Sequence, residues 1–149
     1  MLETLLTPAT IQMQPAGELD WKEAIQLAAT PLINAGNIEQ SYVTAMINVV
    51  QKNGPFINIG PHIALAHARP EDGVRKMGMA LLKVAPAINL VSADHPITLF
   101  FVLAASDNET HLAALQELAT KLQDRDSLAR LEQATNRTQL IDEFKGVQA

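Results

Sequence analysis

Gly60-Pro61-His62-Ile63-Ala64-Leu65-Ala66-His67-Ala68-Arg69-Pro70 is the most informative stretch of this sequence. Two histidines, His62 and His67, flank the apolar residues 63–66, which are too few for a helix and typical of the end of a buried strand. The Arg-Pro pair that follows stops regular structure. We therefore predict that His67 lies where a strand gives way to a loop, a place where folds commonly present functional side chains.

The residues of this stretch alone leave more than one interpretation of the two histidines open. A histidine beside an apolar run is most often structural. Histidine is also a common zinc ligand, but the chain contains no cysteine and no third ligand is spaced to complete a site with His62 and His67. We therefore expect no metal site here.

The composition indicates a globular chain. With 149 residues, 48% of them hydrophobic and 18% charged, we expect a single domain over residues 1–149. A net charge of −5 argues against a nucleic-acid partner, which requires a basic face. The lack of cysteine excludes disulfides and thiol nucleophiles.

Nothing in the sequence resembles a leader or a membrane span. Glu3 lies near the N-terminus without a basic region, unlike a secretory signal. The longest apolar run, Ile97–Ala105, is about half as long as a membrane span requires. We expect a cytoplasmic protein that does not insert into the membrane.

The first part of the chain alternates between helical and extended patterns. The predicted elements are a helical turn at 2–7, a strand at 10–14, a helix that begins at Asp20, a helix at 39–52 and a strand at 56–59. Asp20 and Glu23 have the spacing of a capping box. Pro31 lies within the first long helix and is expected to kink or split it.

The second part of the chain contains the most apolar segments. The predicted strands are 76–85, which Pro86 ends, and 97–105, with a loop or irregular edge at 89–96 between them. Three helices follow: one that begins at Ser106, one at 126–134 and one at 138–145. Gly78 suggests a close backbone approach or a bulge, and residues 97–105 have the composition of a strand buried on both faces. Ser106 is expected to cap its helix with Glu109 as capping-box partner. Helices around a few apolar strands predict a layered α/β fold.

Several segments together resemble enzyme IIA of the sugar phosphotransferase system, mannitol–fructose class. That class carries a motif of the form Gly-Ile-Ala-x-Pro-His-(Ala/Gly), which Ile63–Ala68 resembles. The segments 69–74, 21–24 and 54–56 resemble the ascorbate-type branch, and 107–111 resembles the second-histidine segment. The resemblance spans nearly the whole chain and implies a mixed central β-sheet flanked by helices.

Two residues depart from the pattern of that class. Ala66 stands where a proline usually precedes the active histidine, which frees one backbone torsion. His62 stands where glycine is usual, so a side chain occupies a position whose backbone is expected to prefer positive φ.

The resemblance implies a phosphocarrier. His67 would accept a phosphoryl group from phospho-HPr and pass it to the cysteine of enzyme IIB, for uptake of L-ascorbate or a related sugar through the membrane component IIC. His111 would stabilise the phosphoryl group, and the guanidinium of Arg69 is a candidate phosphate contact. No cofactor is expected, and the sequence leaves a homodimer open.

Two other functions stay open at this point. The first is a regulatory IIA-like module whose histidine phosphorylation controls a protein partner, which the departures at Ala66 and His62 suggest. The second is a small-ligand or metal-binding α/β domain without phosphotransfer, which the four histidines suggest.

Overall fold

A mixed five-stranded β-sheet forms the centre of the computed structural model, which describes residues 1–145. The strands are β1 (Ile11–Pro15), β2 (Asn58–Gly60), β3 (His62–Ala66), β4 (Gly78–Asn89) and β5 (Pro96–Ala104). The helices are α1 (Leu2–Leu5), α2 (Trp21–Asn34), α3 (Gln40–Asn53), α4 (Asn108–Gln123), α5 (Arg125–Gln133) and α6 (Arg137–Glu143). The strand order is β1-β4-β5-β3-β2, in which the β1–β4 and β3–β5 pairs are parallel and the others antiparallel. The layered α/β fold with a mixed sheet is confirmed.

Two hydrophobic cores lie on the two faces of the sheet. Helices α2 and α3 pack on one face, and α1, α4, α5 and α6 pack on the other. Strand β3 shows the alternation, since Ala64 and Ala66 belong to the first core and Ile63 and Leu65 to the second. Continuing this alternation by one residue places His67 on the face that α4 covers.

Strands β4 and β5 form the middle of the sheet, as their apolar sequences predicted. Residues 99–104 of β5 are buried on both faces. The close approach at Gly78 is also confirmed, because a Cβ there would lie 2.9 Å from Leu32 Cδ2. The prediction that Pro86 ends β4 is wrong. The strand continues through Pro86 to Asn89, and Pro86 falls in the interruption of the β4–β5 ladder between Lys83 and Ile88, where its missing N–H removes no ladder hydrogen bond.

Helix α2 runs through Pro31 without a break, so the predicted split is wrong. Pro31 has no N–H to donate to Leu27 O, four residues earlier. The side chain of Gln12 on β1 takes that role, with Nε2 2.7 Å from Leu27 O. The capping box of Asp20 and Glu23 at the start of α2 is confirmed by both of its hydrogen bonds.

Some predicted boundaries need correction. Phe56 lies in a turn, and β2 begins only at Asn58. Asp107, not Ser106, caps α4, because its Oδ1 accepts a hydrogen bond from Thr110 N at 2.8 Å. The two last helices lie within a few residues of their predicted positions. Among residues 1–145, no helix has the length and apolar character that crossing a membrane requires.

Candidate functional site

His67 directly follows the last residue of β3, as predicted, and is half-buried. Its Nδ1 lies 3.0 Å from Leu65 O. A carbonyl oxygen only accepts hydrogen bonds, so this contact requires a proton on Nδ1. In the neutral ring, Nε2 then carries the free lone pair, and the imidazole has one fixed donor and one available nucleophilic nitrogen.

His111 lies beside His67, although it comes from a different element. It belongs to the first turns of α4, where its backbone N–H donates to Asp107 O at 3.1 Å. The centroids of the two imidazole rings are 5.4 Å apart, with ring planes inclined at 60°. Burial, and to a smaller extent the neighbouring His67, holds the pKa of His111 below its ordinary value. The lowered pKa favours the neutral form of the His111 ring.

Phe56 also contacts His67, which the sequence analysis missed. The two ring centroids are 5.9 Å apart and the planes meet edge to face at 83°. The Phe56 side chain is nevertheless 49% exposed, and Leu112, next to His111 on α4, is 56% exposed. The pair of histidines is thus flanked by two large apolar side chains that face solvent. The sequence signal that could have found Phe56 is its position after Gly54-Pro55, which turns the chain at the end of α3.

A cavity of about 630 Å³ opens on one side of His67. The C-terminal half of α3 and the loop after β3 form its walls. Its lining residues are Ala45, Asn48, Val49, Lys52, Asn53, His67, Ala68, Arg69 and Asp72. The amides of two asparagines and two cationic side chains give this cavity groups that could contact an anion.

The sequence matches a profile of the family described as "Phosphoenolpyruvate-dependent sugar phosphotransferase system, EIIA 2" over residues 4–146. The chain belongs to this family. Enzyme IIA components are phosphotransferases that carry phosphohistidine in sugar transport.

Two curated relatives illustrate the range of this enzyme IIA family. The mannitol-specific cryptic phosphotransferase enzyme IIA component of Escherichia coli strain K12 is 34% identical over 123 residues, which are 83% of this chain and 84% of the relative. The ascorbate-specific enzyme IIA component of the same strain is 27% identical over 142 residues, which are 94% of this chain and 92% of the relative.

Two solved structures share the fold. The solution structure of a mannitol-specific cryptic enzyme IIA from Escherichia coli has a TM-score of 0.86 at 30% identity and covers 96% of this chain and 97% of its own. The mannitol enzyme IIA in a complex with phosphorylated enzyme IIB from Escherichia coli has a TM-score of 0.78 at 25% identity and covers 94% of this chain and 98% of its own. Enzyme IIA proteins of this kind therefore interact with enzyme IIB.

In this enzyme IIA, Arg69 forms ion pairs within its own loop. Its Nε and Nη2 lie 3.4 and 3.3 Å from the two carboxylate oxygens of Asp72, and its Nη1 lies 3.8 Å from Glu71. The Arg69 side chain is 74% exposed. The role of Arg69 as a phosphate contact stays a prediction, and its guanidinium already binds carboxylates on the wall of the cavity beside His67.

His62 and His95 lie apart from the pair formed by His67 and His111. His62 is exposed at the first position of β3, the opposite end from His67, and has φ of 67°, as expected for a position where glycine is usual. His95 Nδ1 bonds Asn58 Oδ1 at 2.7 Å. Within residues 1–145, no three histidine, cysteine or acidic side chains are grouped to hold a metal ion.

Proposed function

We propose that this chain is a phosphocarrier in which His67 takes up and releases the phosphoryl group. The observation on which the proposal depends is the tautomer and orientation of the His67 ring. Its Nδ1 donates to Leu65 O at 3.0 Å, which leaves Nε2 as the nucleophile, and the ring of His111 lies 5.4 Å away. A neutral imidazole that is held in one orientation by its own N–H suits nucleophilic catalysis.

Each transfer forms one bond to phosphorus and breaks another. Nε2 of His67 attacks the phosphorus of the phosphohistidine on HPr, and the electron pair of the breaking P–N bond returns to the HPr imidazole. The proton on Nδ1 of His67 stays in its hydrogen bond to Leu65 O. In the second transfer, the thiolate of the enzyme IIB cysteine attacks the phosphorus, and the electron pair returns to Nε2 of His67.

His111 is the residue that stabilises the transferred group in this proposal. Because its ring is neutral before transfer, it can approach His67 without charge repulsion and donate an N–H to a phosphoryl oxygen. The negative charge of the bound phosphoryl group raises the pKa of His111. The ring then holds a proton more firmly while the group is present and less firmly after it leaves.

Arg69 provides a second contact to the phosphoryl group in this proposal. The Arg69 guanidinium is 74% exposed in its ion pairs with Asp72 and Glu71, and ion pairs that solvent reaches contribute little free energy. The guanidinium can therefore exchange the Asp72 carboxylate for two phosphoryl oxygens, which match its planar fork.

HPr and enzyme IIB are the proposed partners, with the membrane component IIC downstream and the cytoplasm as the site of action. The exposed side chains of Phe56 and Leu112 beside the histidine pair support docking of a protein, because apolar groups of this size are common at the centre of protein interfaces. The solved complex of a related enzyme IIA with phosphorylated enzyme IIB supports IIB as the acceptor.

L-Ascorbate, or a related acid, is the sugar that we propose. The ascorbate-like residues 69–74 and the ascorbate-specific relative support it. The mannitol-specific relative has the higher identity, so mannitol is the alternative that the experiment must separate.

The test reconstitutes the transfer. The protein is mixed with phosphoenolpyruvate, enzyme I and HPr, and the phosphate mass is located by mass spectrometry under conditions that preserve phosphohistidine. We expect the wild type and the control His62→Gln to take up one phosphoryl group, and His67→Gln to take up none. Equal labelling of His67→Gln, or none of the wild type, contradicts the proposal.

The acceptor is tested with the labelled protein. Purified enzyme IIB domains of the ascorbate and mannitol types are added separately, and loss of label from His67 is followed with time. We expect faster transfer to the ascorbate-type IIB. Faster transfer to the mannitol-type IIB would assign mannitol in place of L-ascorbate. If His67 keeps its label with both IIB domains, the result favours the regulatory module.

A further inference from the structure

A buried hydroxyl group joins the backbone just after His67 to the neighbouring strand. Tyr42, near the start of α3, is fully buried, and its Oη lies 3.0 Å from Ala68 N and 2.7 Å from Leu103 O. A phenol has one hydrogen, so Oη accepts from the Ala68 N–H and donates to Leu103 O. The contact with Ala68 O is longer, at 3.2 Å.

This hydroxyl stands at the point where the parallel ladder of β3 and β5 stops. The last pair in the register is Ala66 with Val102. Beyond it, Ala68 belongs to the departing loop and Leu103 to the continuing strand. Tyr42 Oη lies between them and provides the hydrogen bonds that a further ladder step would have provided. The backbone leaves the sheet at His67 along a path that the hydroxyl fixes.

The hydroxyl must keep its proton to make both bonds. Burial raises the pKa of Tyr42 to about 12, so the group is protonated at neutral pH. Phenylalanine at this position would preserve the ring but would leave a backbone donor and a buried backbone acceptor without this partner.

We infer that Tyr42 is a positioning residue for phosphoryl transfer, which acts by fixing the backbone on the C-terminal side of His67. The Leu65 carbonyl orients the His67 ring from the N-terminal side, through Nδ1. The Tyr42 hydroxyl fixes Ala68 on the other side, so that Nε2 and the ring of His111 keep one mutual geometry. Reactions that depend on alignment lose rate when an attacking atom is displaced by a fraction of a bond length. This inference rests on the proposed function.

The decisive variant is Tyr42→Phe, with Val43→Ala as the matched control. Val43 is also buried on α3, so its truncation loosens the same helix but keeps the Tyr42 hydroxyl and its hydrogen bond to Ala68 N. Phosphoryl uptake from phospho-HPr is measured over a range of donor concentrations. We expect Tyr42→Phe to lower the maximal rate at least about tenfold, with KM for phospho-HPr unchanged and Val43→Ala near wild type. A maximal rate that falls no more than that of Val43→Ala overturns the inference.

A second measurement decides the question if Tyr42→Phe does not fold. The chain contains a single tyrosine, so biosynthetic incorporation of 3-fluorotyrosine labels position 42 alone. We expect the ¹⁹F signal to move when His67 is phosphorylated and to stay fixed in His67→Gln under the same conditions. A signal that does not respond to phosphorylation of His67 overturns the inference.

A further measurement separates two outcomes: that the chain is not a phosphocarrier, and that Tyr42 does not position His67. If the wild type takes no phosphoryl group, the ¹⁵N signals of the His67 imidazole are compared between wild type and Tyr42→Phe, or between wild type and the fluorinated protein if the variant does not fold. Altered His67 signals support positioning by Tyr42 without phosphotransfer. Unaltered signals overturn the positioning role as well.

Discussion

The imidazole rings of His67 and His111 lie 5.4 Å apart because β3 and β5 are parallel neighbours. Parallel strands end at the same edge of a sheet, so the residue after β3 and the helix after β5 begin side by side. The alternation along β3 turns His67 toward the face that α4 covers, and His111 occupies the first turns of α4. The pair is thus a consequence of strand order and of side-chain alternation together.

Removal of the second imidazole should slow phosphoryl transfer without preventing it. We expect His111→Ala to lower the maximal rate of uptake from phospho-HPr about 100-fold, because the loss of one preorganised donor to a developing charge typically costs that much or more. Rapid-quench measurement with radiolabelled phospho-HPr gives the rate. Gln116→Ala, on an exposed position of α4, is the control. Equal rates for the two variants would contradict a role of His111 in the transfer.

His111 should also make the stability of the protein depend on pH. The folded chain holds the pKa of His111 below the ordinary value of 6.5, so the unfolded chain binds the proton first as the pH falls. The wild type therefore loses free energy of unfolding below about pH 6.5, and this loss levels off once the folded state also protonates. Urea unfolding at pH 8 and pH 5 checks this. We expect the difference in free energy of unfolding between the wild type and His111→Ala to be smaller at pH 5 than at pH 8. A larger difference at pH 5 would contradict a lowered pKa of His111 in the folded chain.

The position of His67 could be predicted from sequence because it depends on local signals. The apolar run 63–66, the proline that follows and the alternation along a strand suffice to place the side chain at a strand end. The long apolar residues 97–105 likewise marked β5 as central. The proximity of His67 and His111 came only from the family resemblance, since no local pattern specifies which strands are neighbours.

Contacts between distant segments explain what the sequence analysis missed. Pro31 was expected to kink or split α2. The group that replaces its missing N–H at Leu27 O, the side chain of Gln12, belongs to another element and is not visible in the local sequence. Nothing in the sequence indicated the role of the Tyr42 hydroxyl, because the two backbone groups that it bonds come from the loop after β3 and from β5. Pro86 fits within β4 because the pairing of β4 with β5 is interrupted between Lys83 and Ile88. This interruption depends on both strands and is not visible in the sequence around Pro86.

The positive φ of His62 should reduce stability. A residue with a Cβ in the left-handed region costs roughly 1 kcal/mol relative to glycine, and His62 has φ of 67°. We expect His62→Gly to raise the free energy of unfolding by about 0.5–1 kcal/mol, measured by urea unfolding. His62→Ala retains a Cβ and is the control that should bring no such gain. A larger gain for His62→Ala than for His62→Gly would show that the imidazole, not the backbone, carries the cost.

Lys83 should be a major determinant of stability on the face of the sheet that α5 covers. It lies within β4, is only 4% exposed, and its ammonium donates to Leu131 O, Glu132 O and Ala134 O at 2.7, 2.6 and 2.9 Å. These carbonyls belong to the C-terminal end of α5, where a helix has acceptors without intrahelical partners and where a positive charge is favourable. One buried ammonium thus satisfies the end of α5 and attaches it to the sheet.

Replacement of Lys83 by methionine keeps the length of the side chain and removes these three donors. We expect Lys83→Met to lower the free energy of unfolding by about 2–5 kcal/mol, since each buried carbonyl that loses its partner costs about 1–3 kcal/mol and the lost burial cost of the ammonium offsets part of the sum. The control is Lys76→Met at an exposed position, which should change stability by less than about 0.5 kcal/mol. Urea unfolding at pH 7 compares the three proteins. Because Lys83 lies on a different strand from His67, the folded variant should still take up a phosphoryl group, and equal stability of the two lysine variants would show that water replaces the ammonium at the end of α5.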